Sequence, residues 1–318
     1  MEMKVSVVGC GRWGSLITWY LAEKRGLDVT LYGREGSASI QRFIKERKND
    51  LLTLPDTVKV TTSLGCLKDS DVIIISINSQ GLAGFIKEIR PLGLKNKIFV
   101  LCMKGIDITT GRRLSEVASA GIDHSNRIAV WIGPGHVQEF YAGIPNCMVI
   151  DSNDSEAKML LANTFSSELI RFYYGEDMIG NEIGAAAKNV IGIAAGMLDG
   201  LGLSTLKGAL MSRGCREVAR LISAMGGSEL SAYGLCHLGD YEATVFSKFR
   251  IFLNGAGNNC LEVMNNAAPA YRRTWKSWQR DIIPQRLLWI FLASMRWICR
   301  YVARYMRSYM KARMQSRH

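Results

Sequence analysis

Met3-Lys4-Val5-Ser6-Val7-Val8-Gly9-Cys10-Gly11-Arg12-Trp13-Gly14 is the stretch on which the fold turns. A short apolar run ends in a G-x-G-x-x-G pattern and passes at once into a helical one. Glycines let the backbone turn tightly and approach a pyrophosphate, whose charge is met by the free N–H groups of the helix start. Alone, the pattern marks only a tight strand-to-helix turn. At the head of a βαβ chain it points to dinucleotide binding, with Gly9, Gly11, Arg12, Trp13 and Gly14 as the cofactor-binding set.

Working outward, apolar runs rich in Val and Ile recur at Lys4 to Val8, Val29 to Tyr32, Val58 to Thr61, Asp71 to Ile77, Lys97 to Leu101, Arg127 to Trp131 and Cys147 to Ile150, with helical patterns between them. Such alternation predicts an α/β fold: a Rossmann-like, doubly wound, mostly parallel sheet with helices on both faces. Past Tyr174 the pattern changes. Met178 to Leu201 reads as a long buried helix and Ser204 to Met225 as an amphipathic one. We therefore expect a dinucleotide-binding domain over residues 1–178, an all-helical substrate domain over 179–250, and an atypical basic tail over 251–318.

The 318 residues suffice for two domains. No signal peptide or uninterrupted 18-residue apolar span is legible, so a cytoplasmic protein without an integral membrane segment is expected. The eight cysteines are scattered singly and away from the four histidines, which argues for buried thiols and against a metal site. The net charge of +12 would suggest nucleic acid, but it is local: residues 251–318 hold twelve Lys and Arg against two acids, and four of the seven tryptophans. With no recognition motif present, nucleic-acid binding is not expected.

The chemistry is expected in the loops after the strands, because ligands of open α/β sheets lie outside the carboxyl ends of the strands. Ser76 to Gln80, Met103-Lys104-Gly105 and Gly133-Pro134-Gly135-His136 would line one crevice. At the end of the second strand, where an NAD enzyme usually carries an acid, stands Tyr32-Gly33-Arg34. Arg34 is either a holder of a 2′-phosphate, admitting NADP as well as NAD, or a solvated surface arginine. Lys104 is either a surface lysine or a cation held over an anionic substrate. His136 reads as a structural or helix-capping residue in preference to a general base. Lys188 lies in Ile183 to Gly196, a stretch apolar all round, where an unpaired ammonium is costly to bury. Desolvation lowers an ammonium's pKa towards neutrality, which suits a group that donates and recovers a proton. Asp240, in Leu238-Gly239-Asp240-Tyr241, is either its carboxylate partner or a cap.

Together, the Gly9 to Gly14 turn, Met103-Lys104-Gly105-Ile106, Gly133-Pro134-Gly135-His136, the Lys188-Asn189 helix through Asp199-Gly200-Leu201-Gly202, and Gly239-Asp240 resemble the bacterial NAD(P)-dependent glycerol-3-phosphate dehydrogenases in order and spacing, from Met3 to about Lys248. The resemblance implies hydride transfer between NAD(P)H and dihydroxyacetone phosphate, feeding glycerophospholipid synthesis. It makes Lys188 the general acid/base at C2, assigns Lys104, Gly133, Gly135, Lys188 and Asp240 to the phosphorylated small-molecule substrate, adds Lys104 and Val137 to the cofactor contacts, and implies a homodimer. The alternatives are a catalytically impaired dinucleotide-binding protein and a related hydroxyacid dehydrogenase or ketopantoate reductase.

Two departures stand out. The family usually has Ser or Thr where Gly135 stands. After Asp240 it carries a serine-rich loop with an Arg-Asn pair, where this chain has Phe246-Ser247-Lys248-Phe249-Arg250. Regrouping the codons of the tail by one frame, with permitted synonymous choices, turns Trp275, Trp278 and Trp289 into Met, Leu and Met codons within family-like strings. A frameshift near residue 250 is therefore expected, in preference to a basic amphipathic helix over Leu288 to Met314 lying on an anionic membrane.

Overall fold

The computed structural model describes residues 3–200 and 205–246. Eight strands form one sheet: β1 (Lys4–Val8), β2 (Asp28–Tyr32), β3 (Lys59–Thr61), β4 (Val72–Ile75), β5 (Ile98–Leu101), β6 (Arg127–Ile132), β7 (Asn146–Ser152) and β8 (Ile170–Tyr174). Their order is β3-β2-β1-β4-β5-β6-β7-β8, with every pairing parallel except β6 with β7. This is the expected doubly wound arrangement.

The central strands are buried from end to end, as Val72-Ile73-Ile74-Ile75 and Ile98-Phe99-Val100-Leu101 show. Continuous apolar runs of this kind belong to parallel strands covered on both faces. Helices α1 (Arg12–Trp19), α5 (Val137–Tyr141) and α6 (Ser155–Phe165) cover one face, with Leu16, Ile17, Phe140, Leu161 and Phe165 in its core. Helices α3 (Leu82–Ile89), α4 (Leu114–Ser119) and α7 (Met178–Gly200) cover the other, through Leu82, Phe85, Leu114, Met178 and Ala185. Helix α2 (Ala38–Glu46) lies between β2 and β3 in sequence.

Two differences from the sequence expectation have physical causes. Strand β8 alternates in burial and exposes Arg171, Tyr173 and Tyr174 at the sheet edge, so it lacks the continuous apolar run that marked the other strands. The fourth strand is shorter than Asp71 to Ile77, because after the Ser76 N–H, which donates to the Val8 carbonyl at 2.8 Å, the chain turns out of the ladder into the loop that faces Gly9.

Beyond β8 the described chain is helical. The long helix begins at Met178, and α8 (Leu206–Ala224) packs against it around Ile183, Ile191, Leu210, Val218 and Ile222. One wide π turn, Leu235–Gly239, leads into α9 (Asp240–Phe246) and brings the chain back over α7. The expected tail, with its frameshift or membrane helix, lies outside the described residues.

Candidate active site

Strands β2 and β4 flank β1, and the chain winds away from β1 in both directions; this is the switch point at which open α/β sheets leave a crevice. Gly9 leaves β1 at φ +114°, and a Cβ there would lie 2.2 Å from the Ser76 carbonyl oxygen after β4. Gly14 packs as closely from α1: its Cβ would lie 2.0 Å from the Gly9 oxygen. Gly11 has open space where a side chain would stand and occupies the N-cap of α1, where no side chain satisfies the first N–H groups. Two glycines thus bring strand and helix together, and the third leaves room. The cradle fits a pyrophosphate lying on a helix start.

The cleft above it has a volume of about 560 Å³. Gly9 to Trp13 form one wall, Ser76 to Asn78 another, and Met103, Lys104, Gly133 and Gly135 close it. The strand-end loops expected from the sequence therefore meet in one place. Gln80 braces them: its amide nitrogen donates to the Ile106 carbonyl at 3.0 Å, and its oxygen accepts from the Ile108 N–H at 3.0 Å.

Lys104 carries the cleft into the helical layer. Its ammonium donates to the Gly133 carbonyl at 3.2 Å and pairs with Oδ2 of Asp240. The other carboxylate oxygen, Oδ1, pairs with Lys188 at 2.7 Å. Asp240 is 2% exposed and Lys188 7%, so both charges are buried, and Asp240 stands as the carboxylate that meets Lys188. Lys104 is partly open to the cleft.

The electrostatics follow from this geometry. Burial pushes the Lys188 ammonium down to about 8, the neighbouring charge of Lys104 adds to that, and Asp240 opposes both. Burial works against ionisation of Asp240, but the two ammoniums outweigh it and hold the carboxyl below the usual carboxylate range. The trio therefore combines an ionised acid with an amine poised near physiological pH.

Other expected residues sit further out. Arg34 is exposed and pairs with Glu88 of α3 at 3.1 Å. The Val137 side chain is buried in the core beneath α5, behind the cleft wall. His136 occupies the N-cap position of α5 but makes no capping bond with its side chain; its Nε2 lies 3.2 Å from the Ala243 carbonyl instead. The capping alternative gives way to a tie between the loop after β6 and α9. Gly135 has φ +153°, and a Cβ there would lie 2.2 Å from the Phe140 ring, which accounts for glycine where the family has Ser or Thr.

Sequence reasoning missed two buried groups. Glu182 of α7 accepts from Arg113 at 2.7 Å and from the Ser115 N–H at 3.0 Å, and is also hydrogen-bonded by the Ser115 hydroxyl, joining α4 to α7. His237 sits fully buried in the turn before Asp240. A polar residue inside an apolar pattern was the available signal in each case, and it was read only at Lys188.

Comparison with known proteins gives a concordant result. The profile described as "NAD-dependent glycerol-3-phosphate dehydrogenase N-terminus" matches residues 4–158, and its C-terminus counterpart matches residues 177–255. The chain is 35% identical over 250 residues to a Clostridium botulinum protein named glycerol-3-phosphate dehydrogenase [NAD(P)+], covering 77% of this chain and 74% of that protein. A Coxiella burnetii glycerol-3-phosphate dehydrogenase structure superposes with TM-score 0.75 at 28% identity, over 84% of this chain and 85% of the other. A 2-dehydropantoate 2-reductase from Porphyromonas gingivalis, at TM-score 0.55 and 18% identity over 87% of this chain and 99% of its own, shares the fold alone.

Proposed function

This chain belongs to the NAD-dependent glycerol-3-phosphate dehydrogenase family, and from that premise we propose how its residues divide the work. It is an oxidoreductase that interconverts sn-glycerol 3-phosphate and dihydroxyacetone phosphate with NAD(P)H; glycerophospholipid synthesis is the usual destination of that product. When bound, the nicotinamide supplies or accepts the hydride at C2 of the substrate. Gly9, Gly11 and the N–H groups opening α1 would hold the pyrophosphate, with Arg12 and Trp13 beside it.

The remaining chemistry belongs to the polar trio. Reduction of a ketone leaves an alkoxide, which needs a nearby cation and then a proton. Lys188 donates that proton to the C2 oxygen and recovers it in the reverse direction. Lys104, facing the cleft, holds the substrate and polarises its carbonyl. Asp240 keeps both ammoniums in place and takes no proton itself. The observation that carries this reading is the buried Lys188–Asp240 pair, whose carboxylate is shared with a lysine lining the glycine-loop cleft. The test is nicotinamide oxidation by the purified full chain with dihydroxyacetone phosphate. Lys188→Ala should lower kcat by about 10²–10⁴-fold while leaving NADH affinity nearly unchanged, the range typical of a lost general acid. Retained turnover in that variant would remove the assignment.

We also propose that residues 251–318 are read from a shifted frame. The change in composition near residue 250 and the family-like strings recovered by regrouping support this, as does a C-terminal family match that ends at residue 255. Sequencing the encoding DNA decides it: an intact frame through this region in close relatives would exclude the shift.

A further inference from the structure

His237 is a fully buried titratable group for which the mechanism above has no use. Its Nδ1–H donates to the Gly184 carbonyl at 3.0 Å, while Nε2 is buried with no hydrogen-bond partner among the described residues. A leucine would fill similar space without leaving a polar atom unpaired, so the useful part of the ring is the Nδ1 side. The acceptor it has chosen is informative. Gly184 lies four residues before Lys188 within continuous helix, so its carbonyl is also the acceptor of the Lys188 backbone N–H. The approach is close, because a Cβ on Gly184 would lie 2.9 Å from the His237 Cβ.

Three residues after His237 comes Asp240, whose Oδ1 meets the Lys188 ammonium at 2.7 Å. The π turn Leu235–Gly239 and Asp240, the residue that follows it and opens α9, therefore touch α7 at two points one helical turn apart: imidazole on the carbonyl at 184, carboxylate on the ammonium at 188. π turns interrupt regular helical bonding and need outside contacts to hold their shape. We propose that His237 is a positioning residue of the active site, clamping this turn onto α7 and so fixing the Asp240 carboxylate against Lys188. The proposal rests on the reading of Lys188 as the proton donor.

The surroundings keep the clamp in one state. Burial pushes the imidazole below its ordinary value, while the bond to Gly184 and the charge of Asp240 oppose this and Lys188 adds to it. Asp151 of β7 and Lys104 act on the adjacent Cys236. The lowered pKa favours the neutral ring, and the Gly184 bond requires its proton on Nδ1.

Three measurements on the full chain test this. In a sample with ¹⁵N-labelled histidine, long-range ¹H–¹⁵N spectra should show His237 neutral and protonated at Nδ1 from pH 7.5 to 9; the other tautomer, or an imidazolium in that range, overturns the proposal. In a sample with ¹³C-labelled lysine, the Lys188 Cε resonance, assigned through Lys188→Ala, gives its titration without reference to turnover. His237→Leu should move that titration down by about one pH unit, as expected when a compensating carboxylate drifts away. His237→Asn, which can place an amide N–H near the Nδ1 position, should restore it. In the assay with NADH and dihydroxyacetone phosphate, His237→Leu should lower kcat at least tenfold with KM for NADH unchanged, and Asn should recover most of the loss. A Lys188 titration unmoved in His237→Leu, or a loss shared equally by Leu and Asn, refutes the clamp. Turnover surviving Lys188→Ala refutes the proton-donor reading instead. If leucine prevents folding, the tautomer spectrum and the Asn variant decide.

Discussion

As the proposed proton donor, a lysine with a pKa of about 8 would give the two directions of one reaction opposite pH dependences. Reduction needs the ammonium, so its kcat should be level below about pH 8 and fall above it; oxidation needs the free amine and should rise through the same pH. Profiles measured in both directions check this, and two limbs of the same sign would contradict it. Asp240 contributes at the same scale. Its carboxyl is depressed in the folded protein, so its stabilisation is present above the unfolded carboxylate pKa and is lost as pH falls through the folded value. Asp240→Asn leaves two ammoniums facing each other in a buried site, and should cost about 3–5 kcal/mol at pH 6 by urea unfolding. The cost should shrink at pH 9, where Lys188 has shed its proton.

Among the elements, the loop after β6 carries the most specific constraint. Gly135 is held in a backbone conformation that side chains rarely adopt, against the ring of Phe140, and Phe140 in turn packs on Trp13 of the cleft wall with centroids 6.2 Å apart. Restoring the serine usual in the family should therefore harm this chain: Gly135→Ser should destabilise it by about 1–3 kcal/mol. Part of that cost should vanish when Phe140 is already Ala, giving a coupling of roughly 1 kcal/mol in a double-mutant cycle. Strict additivity would show that the steric contact is not the cause.

This element also marks the limit of what the sequence disclosed. The glycine turn, seven of the eight strands and the meeting of the strand-end loops were legible because each rests on local pattern: period, composition, or a turn residue. So was the burial of Lys188, since an ammonium among apolar residues needs a partner nearby. The sharing of Asp240 by two lysines was not legible, because residues 104, 188 and 240 meet only through tertiary packing. Nor was β8, whose exposed edge breaks the apolar run, or His237, whose partner is a backbone carbonyl that no sequence pattern specifies.

For the whole molecule, the sheet layer and the helical layer are joined through a buried ion pair. Arg113, the N-cap of α4, and Glu182 of α7 are both largely withdrawn from water, and burial raises the Glu182 carboxyl despite its bonds to Ser115 and Arg113. Arg113→Met should cost about 3 kcal/mol, because it strands a buried carboxylate. Arg113→Met combined with Glu182→Met should recover most of it, since hydrophobic replacement of a buried pair is often near neutral. Denaturant midpoints of the two variants check this, and a double variant no better than the single would mean the pair itself supplies the stability.

One carboxylate serving two ammoniums leaves a surplus of positive potential at the base of the cleft, in a place poorly screened by solvent. A phosphorylated metabolite would be drawn in before any contact is made, so kcat/KM should decline as ionic strength rises past about 0.1 M while kcat holds steady. An arrangement read above as acid–base apparatus would thus also govern how quickly the enzyme captures its substrate from dilute solution.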